Sequence, residues 1–350
     1  MMLRKNKYSQ PLFWGILHGL NDLAAGFFLA KYTFLHSYND SFFFVALYAI
    51  IGFGGQLPVG FWMDRMRFIK TFAIASFILL PVAVLCSFFS LEIAIIFSGL
   101  ASAFVHVTGG TICLQFHKDK TGPLGIFTAP GVLGLTAGSL LGQSGIIIPV
   151  LVLISVFILA IIIFRQPIVD YPSSKKEESE LDAHDLIMLA ILLLMCFRSV
   201  IFDVVNYAAE NVENGILYLG VSAFAGKIIG GFLADKIGLK KFIYITLSVA
   251  FLLFQFGKEN IYALSAGVAC LQSSVPVTLL LMSRSLPFYP ATATAFSLGT
   301  SIVLAGLPLF LVTDKTLFYD SFNNPWLTAI VFSIFIIGWL IAGKFLFRKT

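Results

Sequence analysis

The chain has 350 residues, 58% of them hydrophobic and only 12% charged, with a formal net charge of +5 and a mean hydropathy of +0.93. Soluble domains carry about 25% charged residues, so this composition excludes a soluble globular protein and describes a chain that faces lipid as well as its own core. No basic cluster interleaves with aromatic residues, which argues against nucleic acid as a partner, and no Walker loop, G-x-S-x-G or H-E-x-x-H motif argues for an enzyme. The four cysteines, Cys86, Cys113, Cys196 and Cys270, lie in apolar runs without metal-ligand spacing. Neither a disulfide framework, a metal centre nor a cofactor is expected.

Twelve apolar segments of about 20 residues follow one another, at 11–35, 42–62, 68–88, 92–116, 123–144, 146–164, 186–205, 213–235, 241–256, 260–283, 290–312 and 325–347. The first follows Arg4, Lys5 and Lys7, as a signal peptide would. Its length, its internal polar residues and the lack of a small-residue cleavage site read as a retained helix. The fifth and sixth are separated only by Gln143-Ser144-Gly145. One long polar stretch, QPIVDYPSSKKEESELDAHD at 166–185, reads as a cytoplasmic linker between a six-helix bundle at 1–165 and a second at 186–350.

Charge then sets the orientation. With the N-terminus inside, eighteen of the 23 Lys and Arg residues fall in cytoplasmic segments, and only Lys31, Lys258 and Lys315 fall in outer loops. This positive-inside bias supports an even number of spans, with both termini cytoplasmic in a cell (inner or plasma) membrane. It also accounts for the positive balance without an acidic partner.

The halves repeat. Residues 60–70 read GFWMDRMRFIK and residues 231–241 read GFLADKIGLKK. Each follows the second span of its half, at an offset of 171 residues from Gly60 to Gly231. Asp64 and Asp235 end their spans at the cytoplasmic side. A carboxylate there can accept hydrogen bonds from a neighbouring helix N-terminus and from loop Arg or Lys, closing the halves in one state. Gly60, Asp64, Arg65 and Lys70, and in the second copy Gly231, Asp235, Lys236, Gly238, Lys240 and Lys241, are therefore candidate gating residues.

The second loop resembles the signature loop of the major facilitator superfamily, and the first is a weaker copy in which Met66-Arg67-Phe68 replaces the Gly-Arg tail. Within that superfamily, His18-Gly-Leu-Asn-Asp22, Gly99 to His106, Phe127 to Gly142 and Arg198-Ser199 resemble fosmidomycin-resistance-type exporters. The fourth span departs from that pattern, with Val107 where the exporters tend to have Pro. The resemblance implies an all-α membrane protein with twelve transmembrane helices in two pseudo-symmetric bundles, and proton-coupled export (efflux by an antiporter).

The polar residues inside the spans are the candidate site. A charge at a helix centre costs about 2.5–3.5 kcal/mol on insertion scales and usually faces a cavity or a partner. His18 and Asp22 are one helical turn apart with Asn21 beside them, and His106 and Arg198 fall at similar depth. A carboxylate beside histidines suits the binding and release of a proton. Asp22, His18 and His106 are therefore expected to couple protons, and Asn21, Arg198, Asp203, Gln272 and Lys227 to bind substrate. Other readings stay open: a structural His18–Asp22 pair, Arg198 neutralising Asp22 or Asp203 (with a cross-bundle partner preferred), and Lys227 snorkelling to the cytoplasmic interface. Ser273 and Ser274 could line the cavity or pack. Glycines spaced by four (Gly134, Gly138, Gly142; Gly226, Gly230) allow close helix approach, and Pro58, Pro130, Pro276 and Pro308 could kink their spans.

Three function classes follow. The first is a proton-coupled exporter of a small organic compound or drug, with Arg198 and Lys227 favouring an anionic one by charge complementarity. The second is an importer or facilitator of a small metabolite, and the third a membrane enzyme or a non-transporting receptor. The partners expected are a small-molecule substrate, protons and lipid, for a monomer. For the topology, Ser174→Cys in a cysteine-free background should resist an impermeant thiol reagent in intact cells while Asn323→Cys reacts. Labelling of position 174 from outside would overturn the orientation.

Overall fold

The computed structural model describes residues 8–117, 119–142, 147–163, 183–209, 212–311 and 324–346. Most of the expected linker, 166–182, and the Gln143-Ser144-Gly145 turn lie outside the described residues. The described chain is helical. The N-terminal set comprises α1 (Ser9–Leu35), α2 (Tyr38–Ala49), α3 (Gln56–Met66), α4 (Ile69–Cys86), α5 (Leu91–Phe116), α6 (Gly122–Leu140) and α7 (Ile147–Ile163). The C-terminal set comprises α8 (Ala183–Ala209), α9 (Gly215–Ile237), α10 (Leu239–Phe256), α11 (Ile261–Gln272), α12 (Val275–Ser285), α13 (Pro290–Ala295), α14 (Ser301–Leu311) and α15 (Pro325–Leu346). Every one of the twelve expected spans has its helix, and among the described residues nine are long and apolar enough to cross a membrane.

Among the described residues, three spans are interrupted. A π-helical turn, Ile50–Gly54, joins α2 to α3, and another, Phe296–Thr300, joins α13 to α14. The two π turns pack against each other across the molecule. The tenth span breaks at Ser273-Ser274 between α11 and α12. Pro276 at the start of α12 has no N–H to offer the preceding turn, so the break falls there.

Two apolar cores form, one mainly from α1 to α7 with residues of α12 and α13, the other mainly from α8 to α15. Lipid tails are as apolar as leucine, so helix association here depends on close packing more than on hydrophobic burial. The glycine ladder supplies that packing. A Cβ at Gly134 would collide with the Gly19 carbonyl, and one at Gly138 with the Leu23 carbonyl, so α1 and α6 touch backbone to backbone. Gly226 and Gly230 let α9 meet α11 at Ala269 and Ser273 in the same way.

The two sets meet through α6 against α9 and α3 against α13. At one end this seam is shut by two carboxylates. Asp235, near the end of α9, accepts from the Thr121 N–H (2.9 Å), the Thr121 hydroxyl (2.9 Å) and the Gly122 N–H (3.0 Å) at the start of α6. Asp64, near the end of α3, accepts from the Ala291 N–H (3.1 Å), the Thr292 N–H (2.7 Å) and the Thr292 hydroxyl (2.6 Å) at the start of α13. Free N–H groups and the positive end of the helix dipole make a helix start a good partner for a carboxylate. Gly60 packs on the Ala291 carbonyl at 2.7 Å from where its Cβ would be, and Gly231 on the Thr121 carbonyl at the same distance. Arg284 adds a third link to Asp119 across the same end, at 3.0 Å.

The first loop is weaker in sequence but not in geometry. Arg67, which aligns with Gly238, adopts φ 59° where Gly238 has φ 89°. The turn is kept without a glycine, at a cost of about 1–2 kcal/mol. The basic residues expected to join the latch do not: Arg65, Lys70, Lys236, Lys240 and Lys241 are exposed, and the carboxylates are held by backbone N–H groups and threonine hydroxyls. Backbone donors at a helix start are already fixed in place, whereas long side chains lose rotamer freedom on pairing.

Gly138→Val should push α1 off α6 and destabilise the protein by about 1–3 kcal/mol, read as lower thermal stability in detergent. Gly54→Ala, whose Cβ would meet only Val303 at 3.8 Å, should leave stability near wild type. Equal stability of the two variants would remove the close-packing argument.

Candidate functional site

Away from the latched end the helices enclose a cavity of about 320 Å³. Its walls come from the middle of each set and from the halves of the helices remote from the latches: His18, Asp22 and Leu29 of α1, Tyr48 of α2, Phe53 of the first π turn, His106 of α5, Thr128, Val132 and Leu135 of α6, Arg198, Ser199, Phe202 and Asp203 of α8, Lys227 of α9, Gln272 of α11 and Val275 of α12. Sequence-expected residues from both halves of the chain thus face one space.

The N-terminal wall holds a buried triad. His18 Nε2 lies 3.1 Å from Asp22 Oδ2, one helical turn along α1. His106 Nε2, from α5, lies 3.8 Å from the same oxygen. The two imidazoles stack edge to face with centroids 4.2 Å apart. Asn21, expected to bind substrate, is instead fully buried and off the cavity wall. Its Nδ2–H donates to Asp22 Oδ1 at 2.9 Å, because the residue next to Asp22 on a helix turns away from the face that the cavity meets, so it orients the carboxylate. Gly131 of α6 backs onto the triad, and a Cβ there would run into His18 and stand 2.7 Å from Asp22 Oδ2.

Backbone carbonyls fix the imidazole tautomers. His18 Nδ1 sits 3.0 Å from the Phe127 carbonyl, and His106 Nδ1 sits 2.7 Å from the Ser102 carbonyl. A carbonyl can only accept, so each Nδ1 carries its proton. In neutral rings both Nε2 atoms then present lone pairs to Asp22. A lone pair facing a carboxylate oxygen at 3.1 Å repels it, and the contact becomes attractive when a cation is shared between them. All three donor atoms lie within 4.8 Å of one another, close enough to share a proton or a metal ion.

The C-terminal wall holds the cations. Arg198 is buried, and its Nη1–H donates to the Thr278 hydroxyl at 2.9 Å. The expected cross-bundle ion pair is not what it makes: the bond stays within the C-terminal set, because Thr278 lies one turn into α12, directly against α8. Lys227 does not snorkel. Its Nζ–H reaches across the seam to the Thr128 carbonyl at 3.3 Å. Gln272 and Asp203 line the cavity. Ser273 and Ser274 do not. Their hydroxyls donate to the Cys270 and Leu271 carbonyls of their own span. The four cysteines are free thiols.

Sequence reading missed the carbonyls of Phe127 and Thr128. Pro130 gives no signal for them, since the carbonyl that its missing N–H frees is that of Ile126, four residues before it.

The description Major Facilitator Superfamily belongs to the family model that matches residues 12–257. No curated protein sequence matches the chain. Among solved structures, the chain is similar to FucP in the outward conformation (14% identity, 96% of this chain and 97% of that one, TM-score 0.71). It is similar also to a single-residue variant of the E. coli fucose:proton symporter FucP (11%, 96% and 97%, 0.69). A third is a bacterial homologue of the iron transporter ferroportin in an outward-facing state (15%, 97% and 100%, 0.65). At such identities the likeness concerns the fold.

Asp64→Asn and Asp235→Asn should each weaken the latched end by about 1–3 kcal/mol, a shift of about 5–150-fold toward the open seam. Spin labels at the exposed positions Arg65 and Lys236 would report longer distances in both variants. Equal distances in wild type and variants would show that the carboxylates do not hold this end.

Proposed function

Because the chain belongs to the Major Facilitator Superfamily, a family of transporters and not of enzymes, we propose that it is a proton-coupled secondary transporter that exports a small organic compound by alternating access. Fosmidomycin-resistance-type exporters are the subfamily its spans resemble. The six-helix bundles are assigned to 1–165 and 186–350, joined by a cytoplasmic linker at 166–185, in a monomer whose termini and latched end face the cytoplasm of a cell membrane. In that orientation the cavity opens outward, and release of Asp64 and Asp235 allows the opposite state.

One observation carries the proton reading. Two imidazoles, each with its Nδ1–H committed to a backbone carbonyl, aim Nε2 at one carboxylate oxygen. That arrangement is repulsive without a shared cation and stable with one. A single proton, on Nε2 or on Oδ2, satisfies it. Loading and unloading this proton changes the charge that the wall presents to the substrate, which ties protonation to the preference between open states. Asp22 carries the proton, and His18 and His106 tune it.

Asp22→Asn fixes the neutral form. Uphill transport driven by a pH gradient in proteoliposomes should fall to the uncoupled level, while downhill counterflow persists. Retained uphill accumulation would refute the proton role. Drive by a divalent-metal gradient in place of pH would assign the triad to a metal ion, and uptake in place of outward export would reverse the direction.

A further inference from the structure

The C-terminal wall poses a separate question of charge. Arg198 and Lys227 are inside apolar helices and face one cavity. Burying a charge is costly unless a counter-charge or several hydrogen bonds replace water. Among the described residues, each makes one hydrogen bond, and each to a neutral oxygen: Arg198 to Thr278 and Lys227 to Thr128. No carboxylate among the described residues lies within 4 Å of either. Arg198 has five N–H donors in a rigid fork suited to a planar oxyanion, and one of them is engaged.

Among the described residues, the carboxylates facing the cavity are Asp22 and Asp203. Asp22 sits against two imidazoles and accepts from an amide on its own wall, and Asp203 has a polar contact of its own. The break before α12 is set in the same wall, with Gln272 and Val275 on either side of it lining the cavity. Facing these groups is an apolar surface that includes Leu29, Val45, Phe53, Leu135, Phe202 and Ile302.

We infer that the cavity takes an amphiphilic organic anion, with one carboxylate, sulfonate or phosphonate headgroup held between Arg198 and Lys227 and an apolar body against that surface. This rests on the reading of the cavity as the transport site. A cationic substrate would meet two like charges there. A neutral polyol would leave both charges uncompensated and set its hydroxyls against hydrocarbon. An anion supplies the missing counter-charge and draws Lys227 off the Thr128 carbonyl. That carbonyl is next in sequence to the Phe127 carbonyl that holds His18, so substrate and proton act on adjacent residues of α6, just before Pro130.

The test uses the purified full-length chain in detergent at pH 7 with four probes of similar size: benzenesulfonate, benzoate, benzenesulfonamide and benzylammonium. Calorimetry should show both anions binding at least about tenfold more tightly than the neutral sulfonamide, with benzylammonium weakest. Arg198→Gln and Lys227→Gln should each weaken anion binding by about tenfold or more and leave the sulfonamide unchanged. Where a Gln variant fails to fold, Arg198→Lys keeps the charge and loses the fork, and should weaken benzoate selectively. A sulfonamide that binds as well as the sulfonate, no binding of either anion to the wild-type chain, or variants with wild-type anion affinity would each overturn the inference. Binding needs no gradient, so coupled flux that survives Asp22→Asn would refute the proton reading and leave this result standing.

Discussion

Backbone contact between α1 and α6 is the constraint on which the rest depends. Gly19 and Gly134 remove the side chains that would otherwise hold two helices about 8–10 Å apart, and Gly138 extends the contact by another turn. That closeness puts the His18 ring within hydrogen-bond reach of the Phe127 carbonyl. It also leaves room, opposite Gly131, for the His18 and Asp22 side chains to lie between the helices. A larger residue at any of these positions would separate the helices or fill the space occupied by the triad. The packing and the chemistry are the same set of atoms seen from two sides.

The helix α6 has a second partner. Its start donates to the Asp235 carboxylate, its middle carries the carbonyls that hold His18 and Lys227, and its remote half lines the cavity. One helix therefore touches the latch, the histidine–aspartate triad and the half-buried Lys227. Helices are stiff along their axes, so a change at one of these points is felt at the others, and Pro130 gives α6 a place to bend. The paired π turns at Ile50–Gly54 and Phe296–Thr300 sit on the other cross-set seam, between the second latch and the cavity. A π turn interrupts the regular ladder and concentrates bending, which gives both seams a compliant segment.

The latches show how two unequal sequences reach one geometry. Asp235 and Asp64 each receive two backbone N–H groups and a threonine hydroxyl from a helix start. Of what the two copies share, the acid and the small glycine one turn before it make the contact across the seam. The remaining differences are absorbed by the backbone, as Arg67 in the left-handed region shows. Basic residues in these loops stay at the surface.

The sequence alone determined the membrane class, the twelve spans, the repeat at 171 residues and the His18–Asp22 pair, because each is local or additive. Apolar length decides a span, charge asymmetry favours an orientation, and a separation of four residues puts two side chains on one helical face. It also singled out the glycine ladder and the acids at the ends of α3 and α9. Tertiary structure decided the partners. That Arg198 meets Thr278, that Lys227 reaches Thr128 and not the interface, that Asn21 turns inward to Asp22, and that His106 joins His18 on one oxygen all depend on which helices are neighbours and at what rotation. Backbone carbonyls as partners carry no mark in the sequence, since every residue has one, and only the packing of α1 and α9 against α6 selects those of Phe127 and Thr128.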